Sequence, residues 1–300
     1  MSTHQTAKTL YVTTSGGTKF AYRRLGTSPG TPLLILTHLR GVMDKYDPLL
    51  INTLARRRSL ILVDYAGVGL STGTVATTVR QSAADIITFL GLIGEREVDV
   101  FGFSIGGMVA QMVALNAPVE NLNVRKLILA GTTPSMGEGV LRSPHIDVLE
   151  IAGARDVTIE SFKTLFFNKT REGVNAAEQW WARIHERSAS TSGEEPATFL
   201  SQGYADGAKG LKAQSNQIGK WMTDDGSVPE EGSYHRLADL MIPVLVANGH
   251  DDYMVPTANS FTLQQKLPNA ELVIYPNSSH GGIFQYAERF AQHALSFLAA

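Results

Sequence analysis

Three residue types that together could form an activated nucleophile stand in short segments rich in small residues. Ser104 is the centre of a Gly-x-Ser-x-Gly run, two aspartates stand at Asp251 and Asp252, and His280 lies between a serine and a glycine. A serine hydroxyl is a weak nucleophile until a base removes its proton, and a histidine oriented by a carboxylate is a suitable base. These residue types therefore predict nucleophilic catalysis by a serine.

The elements around Ser104 predict a sharp turn between a strand and a helix. The apolar run Val98–Phe103 precedes the serine and is typical of a buried strand, and the apolar residues that follow it have helical spacing. Gly102 and Gly106 carry no Cβ, so the two backbones can approach closely at such a junction. The alternative is a glycine-rich turn that carries a serine incidentally.

The other two segments each follow a predicted buried strand. Val244–Ala247 precedes the loop with both aspartates, and Glu271–Tyr275 precedes the loop with His280. Because the carboxyl ends of strands in an open α/β sheet lie along one edge, both loops are expected beside Ser104. His250 precedes the aspartates and is expected to be a loop residue or part of a pocket wall.

The composition describes an ordinary globular protein. The 300 residues are 43% hydrophobic and 18% charged, with a net charge of −2, which gives no reason to expect nucleic acid or a membrane as a partner. The absence of cysteine excludes disulfides, thiolate zinc sites and cysteine nucleophiles. No histidines have metal-ligand spacing, so neither a metal nor another cofactor is expected. We expect a cytoplasmic monomer or homodimer with a small-molecule substrate.

Strand and helix patterns alternate along most of the chain and predict a parallel sheet covered by helices. Between residues 134 and 236 we find helical patterns only, and Ser188–Pro196 is expected to be an exposed loop. We therefore predict a core formed by residues 1–133 and 237–300, with a helical cap inserted at 134–236.

Four motifs together resemble the α/β-hydrolase superfamily, and the resemblance covers nearly the whole chain. Their order along the chain, serine then aspartate then histidine, is also that of the superfamily. The motifs are Gly102-x-Ser104-x-Gly106, the Asp-x-x-Gly-x-Gly-x-Ser turn from Asp64 to Ser71, Gly-x-x-Asp-x-x-Val-Pro from Gly249 to Pro256, and Ser279-His280-Gly281.

The resemblance implies an α/β fold with a mostly parallel eight-stranded sheet, helices on both faces and an inserted helical cap. It implies that Ser104 is the nucleophile, His280 the base and Asp252 the acid, with Asp251 as a solvated or capping neighbour. Asp64 is expected to organise the turn that it begins. Relatives with epoxide hydrolase or dehalogenase chemistry carry aspartate at the position of Ser104, which disfavours those reactions.

The oxyanion of a tetrahedral intermediate needs two hydrogen-bond donors. One is expected to be the backbone N–H of Ile105, directly after the nucleophile. The second is expected from the loop after the strand Leu33–Thr37, where related enzymes read His-Gly-x and this chain has Leu39 in place of glycine. The matching donor is the N–H of Arg40, with that of Leu39 as the alternative. The Arg40 guanidinium is expected either at the pocket mouth or exposed to solvent.

The substrate pocket is expected to be largely apolar. Candidate lining residues are Leu39, Met43, Trp180 and Trp181, although most cap aromatics are expected to form the core of the cap. Adjacent helical residues lie about 100° apart, so only one of the two tryptophans can reach the cavity.

Two classes of function follow from these residues. The first is a serine hydrolase that cleaves an ester or lactone through an acyl-enzyme, with C–C bond hydrolysis or peracid formation as alternatives on the same three residues. The second is a binding or receptor protein that uses the same pocket without catalysis, since a fold does not fix a function.

Overall fold

A computed structural model describes residues 2–224 and 226–300 of the chain. Eight strands form one sheet in the order β1-β2-β4-β3-β5-β6-β7-β8. β1 and β2 pair antiparallel, β2 and β4 pair antiparallel, and every other pair is parallel. The strands are β1 Leu10–Thr13, β2 Lys19–Leu25, β3 Leu33–Leu36, β4 Leu60–Val63, β5 Glu97–Phe103, β6 Asn123–Ala130, β7 Val244–Gly249 and β8 Ala270–Tyr275.

Helices connect these strands and cover both faces of the sheet. Residues of β3 show the division, since Leu33 and Ile35 belong to one apolar cluster and Leu34 and Leu36 to the other. The predicted α/β fold with a mostly parallel eight-stranded sheet is confirmed. The helices of the core are α1 Pro48–Ala55, α2 Val79–Leu92, α3 Ile105–Asn116, α9 Ala258–Lys266, α10 Gly282–Gln285 and α11 Ala287–Ala299.

Local sequence sets where several helices begin. The Asp47 carboxylate accepts the Leu49 N–H and Pro48 occupies the first turn of α1, while the Thr78 hydroxyl accepts the Gln81 N–H at the start of α2. Such side chains satisfy N–H groups that have no partner within the helix. Within the described residues, no helix is long and apolar enough to cross a membrane.

Between β6 and β7 the described residues form helices and no strand, and we call this segment the cap. The predicted exposed loop at Ser188–Pro196 is partly wrong, because four of its residues form a helical turn in which Ser192 is buried. The helices of the cap are α4 Asp147–Ala152, α5 Ile159–Leu165, α6 Arg171–Arg183, α7 Ala189–Ser192 and α8 Lys209–Trp221.

A buried ionic cluster joins the sheet to the cap. Asp44 forms ion pairs of 2.7 Å with Arg23 of β2 and with Arg187, which lies between α6 and α7. Arg187 also pairs with Glu194 at 2.7 Å, and the side chains of Arg23 and Asp44 are fully buried. Removing one partner from such a cluster leaves an uncompensated buried charge, so the cluster fixes this end of the cap on the core.

Candidate active site

Ser104 lies at a strained junction between β5 and α3. Its φ of 60° and ψ of −125° are unusual for a residue other than glycine, and its N–H donates to the Ala130 carbonyl at 2.9 Å. A Cβ added at Gly102 would overlap the backbone of Gly106, and one added at Gly106 would overlap the carbonyl of Leu36. The two glycines therefore allow the close approach that the sequence predicts, and the serine side chain is turned out of the sheet.

His280 connects the serine to a carboxylate. Its Nε2 lies 3.0 Å from Ser104 Oγ, and its Nδ1 lies 2.8 Å from Asp252 Oδ2. A carboxylate can only accept, so Nδ1 carries the proton and Nε2 has a free lone pair that faces the serine hydroxyl. The structure thus brings together the three side chains named from the sequence, in the geometry of a base between a nucleophile and an orienting acid.

Backbone groups fix the orientation of the Asp252 carboxylate. Its Oδ1 accepts the N–H groups of Met254 at 2.9 Å and Val255 at 2.8 Å, which leaves Oδ2 for His280. Asp251 is exposed and lies outside this set of contacts. The loop after β7 therefore presents the second of its two aspartates to the imidazole.

Aromatic rings exclude water from one side of His280, which is only 1% exposed. The ring centroid of Phe103, at the end of β5, lies 4.9 Å from that of His280, and Phe166 of the cap lies at 5.1 Å. The Gly281 N–H also donates to the Phe166 carbonyl at 2.6 Å. The cap therefore packs directly against the histidine.

The prediction that Arg40 supplies the second oxyanion donor is wrong, because its N–H already donates to Gln214 Oε1 of α8 at 2.8 Å. Neither the N–H of Leu39 nor that of Ile105 has a hydrogen-bond partner in the described part of the chain. Leu39 also lines the same cavities as Ser104. The N–H groups left without a partner are therefore those of Leu39, the alternative named from the sequence, and of Ile105 at the N-terminus of α3.

The expectation of a solvent-exposed Arg40 side chain is wrong. The residue is 4% exposed, and its guanidinium donates to backbone carbonyls of the cap, including Ala154 at 2.6 Å and Leu200 at 2.9 Å. Arg40 also lines a cavity with Ser104, but its guanidinium is already bonded to these carbonyls.

His38 is a site residue that the sequence analysis did not single out. Its Nδ1 donates to the Leu39 carbonyl at 2.9 Å, and its ring packs edge-on against Phe166 and lines a cavity with Ser104. Burial, helped by the nearby His280, lowers its pKa to about 4. His38 is therefore neutral near pH 7, and its place as the histidine of the His-Gly-x position was the signal for it.

Two cavities meet at Ser104. The smaller has a volume of about 40 Å³, and its walls include His38, Phe162 and Phe166. The larger has a volume of about 570 Å³ and reaches solvent past Ile146 and Leu149 of the cap, which are 95% and 79% exposed. The site is therefore asymmetric, with a narrow apolar recess on one side of the nucleophile and a wide, mostly apolar chamber on the other.

Three of the four predicted pocket residues line neither cavity; only Leu39 does. Trp180 is fully buried, with Phe162 and Phe284 at ring distances of 4.7 and 5.5 Å, so it forms the core of the cap. Trp181 stacks with Phe199 at 6.3 Å, away from the serine.

Met43 is buried below the site because two buried groups hold its backbone. Asp64 Oδ1 accepts its N–H at 2.7 Å, and His4 Nε2 donates to its carbonyl at 2.9 Å. Asp64 Oδ2 also accepts the Leu70 N–H at 2.9 Å, and burial raises the pKa of this carboxyl to about 7. Asp64 therefore ties two loops together, in keeping with the turn-organising role expected of it.

His145 lines the larger cavity and packs against Tyr253, a pairing that no pattern in the sequence indicated. Their rings stack at 3.8 Å, and the Tyr253 hydroxyl donates to Asp147 of α4 at 2.9 Å. Among the described residues, no group of three or more histidines and carboxylates could hold a metal ion.

Comparison with known proteins supports the fold and the class of chemistry. The sequence profile of the α/β hydrolase fold matches residues 31–286. A solved α/β hydrolase fold protein from Chitinophaga pinensis superimposes with a TM-score of 0.85 at 31% identity, covering 100% of both chains.

Two relatives of known name are hydrolases. The 2-hydroxy-6-oxononadienedioate/2-hydroxy-6-oxononatrienedioate hydrolase of Paraburkholderia phymatum is 29% identical over 94% of this chain and 92% of its own length. The pimeloyl-(acyl-carrier protein) methyl ester esterase of Nitrosomonas europaea is 24% identical over 88% of this chain and 94% of its own length. The relatives therefore include both C–C bond hydrolases and esterases.

Proposed function

The chain belongs to the α/β hydrolase fold family, and we propose that it is a serine hydrolase that cleaves a carboxylic ester or a lactone of a small, mainly apolar molecule. The observation that carries this proposal is the contact series from Ser104 Oγ through the His280 imidazole to Asp252, with distances of 3.0 and 2.8 Å. The side chains of His280 and Asp252 are fully buried, so water does not compete for their hydrogen bond. The hydrolases among the relatives support the same class of reaction.

In the first half of the reaction, His280 Nε2 takes the hydroxyl proton as Ser104 Oγ attacks the carbonyl carbon. The carbonyl oxygen gains a negative charge, which the N–H groups of Ile105 and Leu39 stabilise. The imidazolium then gives its proton to the leaving oxygen, the bond to the alcohol breaks, and the acyl group stays on Oγ. Asp252 holds Nδ1–H throughout, which keeps Nε2 facing the reacting atoms.

In the second half, a water molecule replaces the alcohol. His280 Nε2 takes a proton from this water as its oxygen attacks the acyl carbon, and the proton then passes to Ser104 Oγ as the acid leaves. A lactone follows the same steps, but its alcohol and acid remain in one molecule.

The walls of the site favour an apolar substrate. The larger cavity, at about 570 Å³, lies in the range of pockets that enclose small organic ligands. Its apolar lining includes Leu141, Ile146, Leu149, Ile218 and Met222.

Hydrolysis of a C–C bond on the same three residues is a second candidate, favoured by the likeness to the Paraburkholderia phymatum enzyme over nearly the whole chain. The two reactions differ in the atom that must receive a proton as the bond breaks, which is the alcohol oxygen of an ester or a carbon atom of the C–C bond. A direct comparison of carboxylic esters with 2-hydroxy-6-oxononadienedioate, the compound in that enzyme's name, separates them.

Labelling with a fluorophosphonate probe tests the proposal, because the probe reacts with an activated serine. We expect labelling of the wild type and none of Ser104→Ala. The matched control is Ser143→Ala, since Ser143 also lines the larger cavity but donates to the Tyr253 carbonyl at 2.9 Å. Its Oγ accepts the backbone N–H of His145 at 3.2 Å, and among the described residues no imidazole nitrogen bonds to it. The control should be labelled like the wild type.

Loss of labelling in Ser104→Ala should be accompanied by loss of ester hydrolysis. Equal labelling of wild type and Ser104→Ala would refute an activated Ser104. An unlabelled wild type that still binds apolar esters without cleaving them would instead indicate a binding protein.

A further inference from the structure

The loop that carries Leu39 is a tight turn with an unusual residue at its third position. The Gly41 N–H donates to the His38 carbonyl at 2.9 Å, and Arg40, the third residue of the turn, has a φ of 63°. Turns with a positive φ at this position normally carry glycine or asparagine there. An arginine persists in such a conformation only when contacts outside the turn hold it.

The cap supplies those contacts to the backbone of the turn. Gln214 Oε1, on α8, accepts the Arg40 N–H at 2.8 Å, and the Leu200 N–H donates to the Arg40 carbonyl at 2.9 Å. Gln214 is 2% exposed, so water does not replace its hydrogen bond. Both peptide groups that flank the Arg40 Cα are therefore bonded to the cap, in addition to the bonds that each makes with His38 within the turn.

The Arg40 side chain strengthens the same attachment. Its guanidinium donates to the carbonyls of Ala154 at 2.6 Å, Leu200 at 2.9 Å and Ser201 at 3.1 Å. These carbonyls come from the segment after α4 and the segment before α8, so one side chain holds two separate parts of the cap at the turn. An arginine can do this because it presents five N–H groups in a planar fork.

From these contacts we infer that Gln214 and Arg40 are positioning residues through which the cap sets the Leu39 N–H as the second oxyanion donor. Leu39 precedes Arg40 in the turn, its N–H has no partner in the described chain, and it lines both cavities beside Ser104. The oxyanion site is then complete only while the cap is seated on the turn. This inference rests on the proposed function, since it concerns the same reaction.

The helix that carries Gln214 also provides a matched control. Gln217 lies on α8 one turn further along and is 3% exposed. It makes two buried hydrogen bonds, donating to the Ala76 carbonyl at 2.7 Å and accepting from Ser82 at 2.9 Å, and neither involves the Leu39 turn. Gln214→Met and Gln217→Met therefore both remove a buried glutamine from one helix, but only Gln214→Met releases Arg40.

Steady-state ester hydrolysis by these two variants tests the inference. Removing an oxyanion donor lowers kcat about 10²–10³-fold, so displacing one should lower it by at least about tenfold. For Gln214→Met we expect this loss in kcat with KM changed less than about threefold, because the donor acts on the transition state. Gln217→Met should keep the wild-type kcat even if its melting temperature falls as much as that of Gln214→Met. Gln214→Glu keeps an acceptor oxygen and should recover most of the rate.

Each other outcome counts against the inference. Equal kcat in Gln214→Met and the wild type would overturn it, as would an equal loss of kcat in Gln217→Met. If Gln214→Met does not fold, Arg40→Lys is the second variant, since lysine keeps the charge but cannot bridge the separate carbonyls. Failure of the proposed function is distinguishable, because the wild type itself would then show neither Ser104 labelling nor ester hydrolysis.

Discussion

At the scale of single residues, the N–H groups around Ser104 decide how well a tetrahedral intermediate is stabilised. Ile105 is positioned by the start of α3, whereas Leu39 is positioned by a turn whose third residue, Arg40, has a positive φ. A glycine in place of Arg40 would let the turn adopt this path without help. With arginine at that position, the path depends on hydrogen bonds to Arg40 from distant parts of the chain.

Leu39→Pro removes the proposed donor directly. Proline is favoured at the second position of turns whose third residue has a positive φ, so the substitution suits the turn and deletes only the N–H. We expect kcat for ester hydrolysis to fall by about 10²–10³-fold. Leu39→Ala keeps the N–H, so its kcat should fall much less than that of Leu39→Pro. Similar kcat values for these two variants, with melting temperatures near that of the wild type, would exclude Leu39 as a donor.

At the scale of elements, the N-terminal segment before β1 links a core helix to the cap. The His4 N–H donates to Asn52 Oδ1 of α1 at 2.8 Å, and Arg187 of the cap donates to the Ala7 carbonyl at 2.9 Å. Thr9 donates its hydroxyl to Glu194 at 2.7 Å. The segment is thus held on both sides, although it contains no strand or helix.

The burial of His4 predicts that this segment loosens in acid. Burial lowers the His4 pKa to about 4, so between about pH 6.5 and 4 the unfolded chain binds a proton that the folded chain does not. The stabilisation is complete above about pH 6.5 and is lost as the pH falls towards 4, by up to about 3 kcal/mol.

Urea unfolding at several pH values measures this loss. The stability advantage of the wild type over His4→Gln should be largest near pH 7.5 and shrink towards pH 4. His250→Gln, at an exposed position, is the control for changes of global charge. An advantage that stays constant across this pH range would contradict the prediction.

At the scale of the whole molecule, the cap and the sheet enclose the site from opposite sides and make it asymmetric. The smaller cavity is lined by residues that are buried or half-buried, whereas the larger is bordered by exposed residues such as Ile146 and Leu149. In an acyl-enzyme reaction the alcohol must leave first while the acyl group stays attached to Ser104. The open cavity therefore suits the alcohol, and the enclosed one suits the acyl group.

This asymmetry predicts a preference among esters. A cavity needs a volume of about 10–15 Å³ to hold one water molecule. The smaller cavity has a volume of about 40 Å³, so it admits an acyl group of only a few non-hydrogen atoms. Acetate and propionate esters of bulky apolar alcohols should have higher kcat/KM than methyl esters of long acids. A matched series with constant total carbon number measures this. A preference for the long acyl chains would reverse the assignment of the two cavities.

Much of the chemistry was predictable from the sequence because its signals are local. The turn at Ser104 needs glycines at fixed offsets between an apolar strand and a helix, and each lies within a few residues of the serine. The loops of Asp252 and His280 follow recognisable strands, and parallel strands bring their carboxyl ends to one edge. Their order along the chain indicated which loops meet, and the resemblance to the α/β-hydrolase motifs selected Asp252 over Asp251.

Only the tertiary structure decided that the Arg40 N–H is already bonded and which residues form the walls of the pocket. Arg40 was the matching donor by position, yet Gln214, 174 residues further along the chain, takes its N–H. Trp180 fills the core of the cap because aromatic rings from two other segments, around α5 and in α10, surround it. Such choices depend on which distant groups compete for a hydrogen bond or a packing site, and no spacing within a segment records that competition.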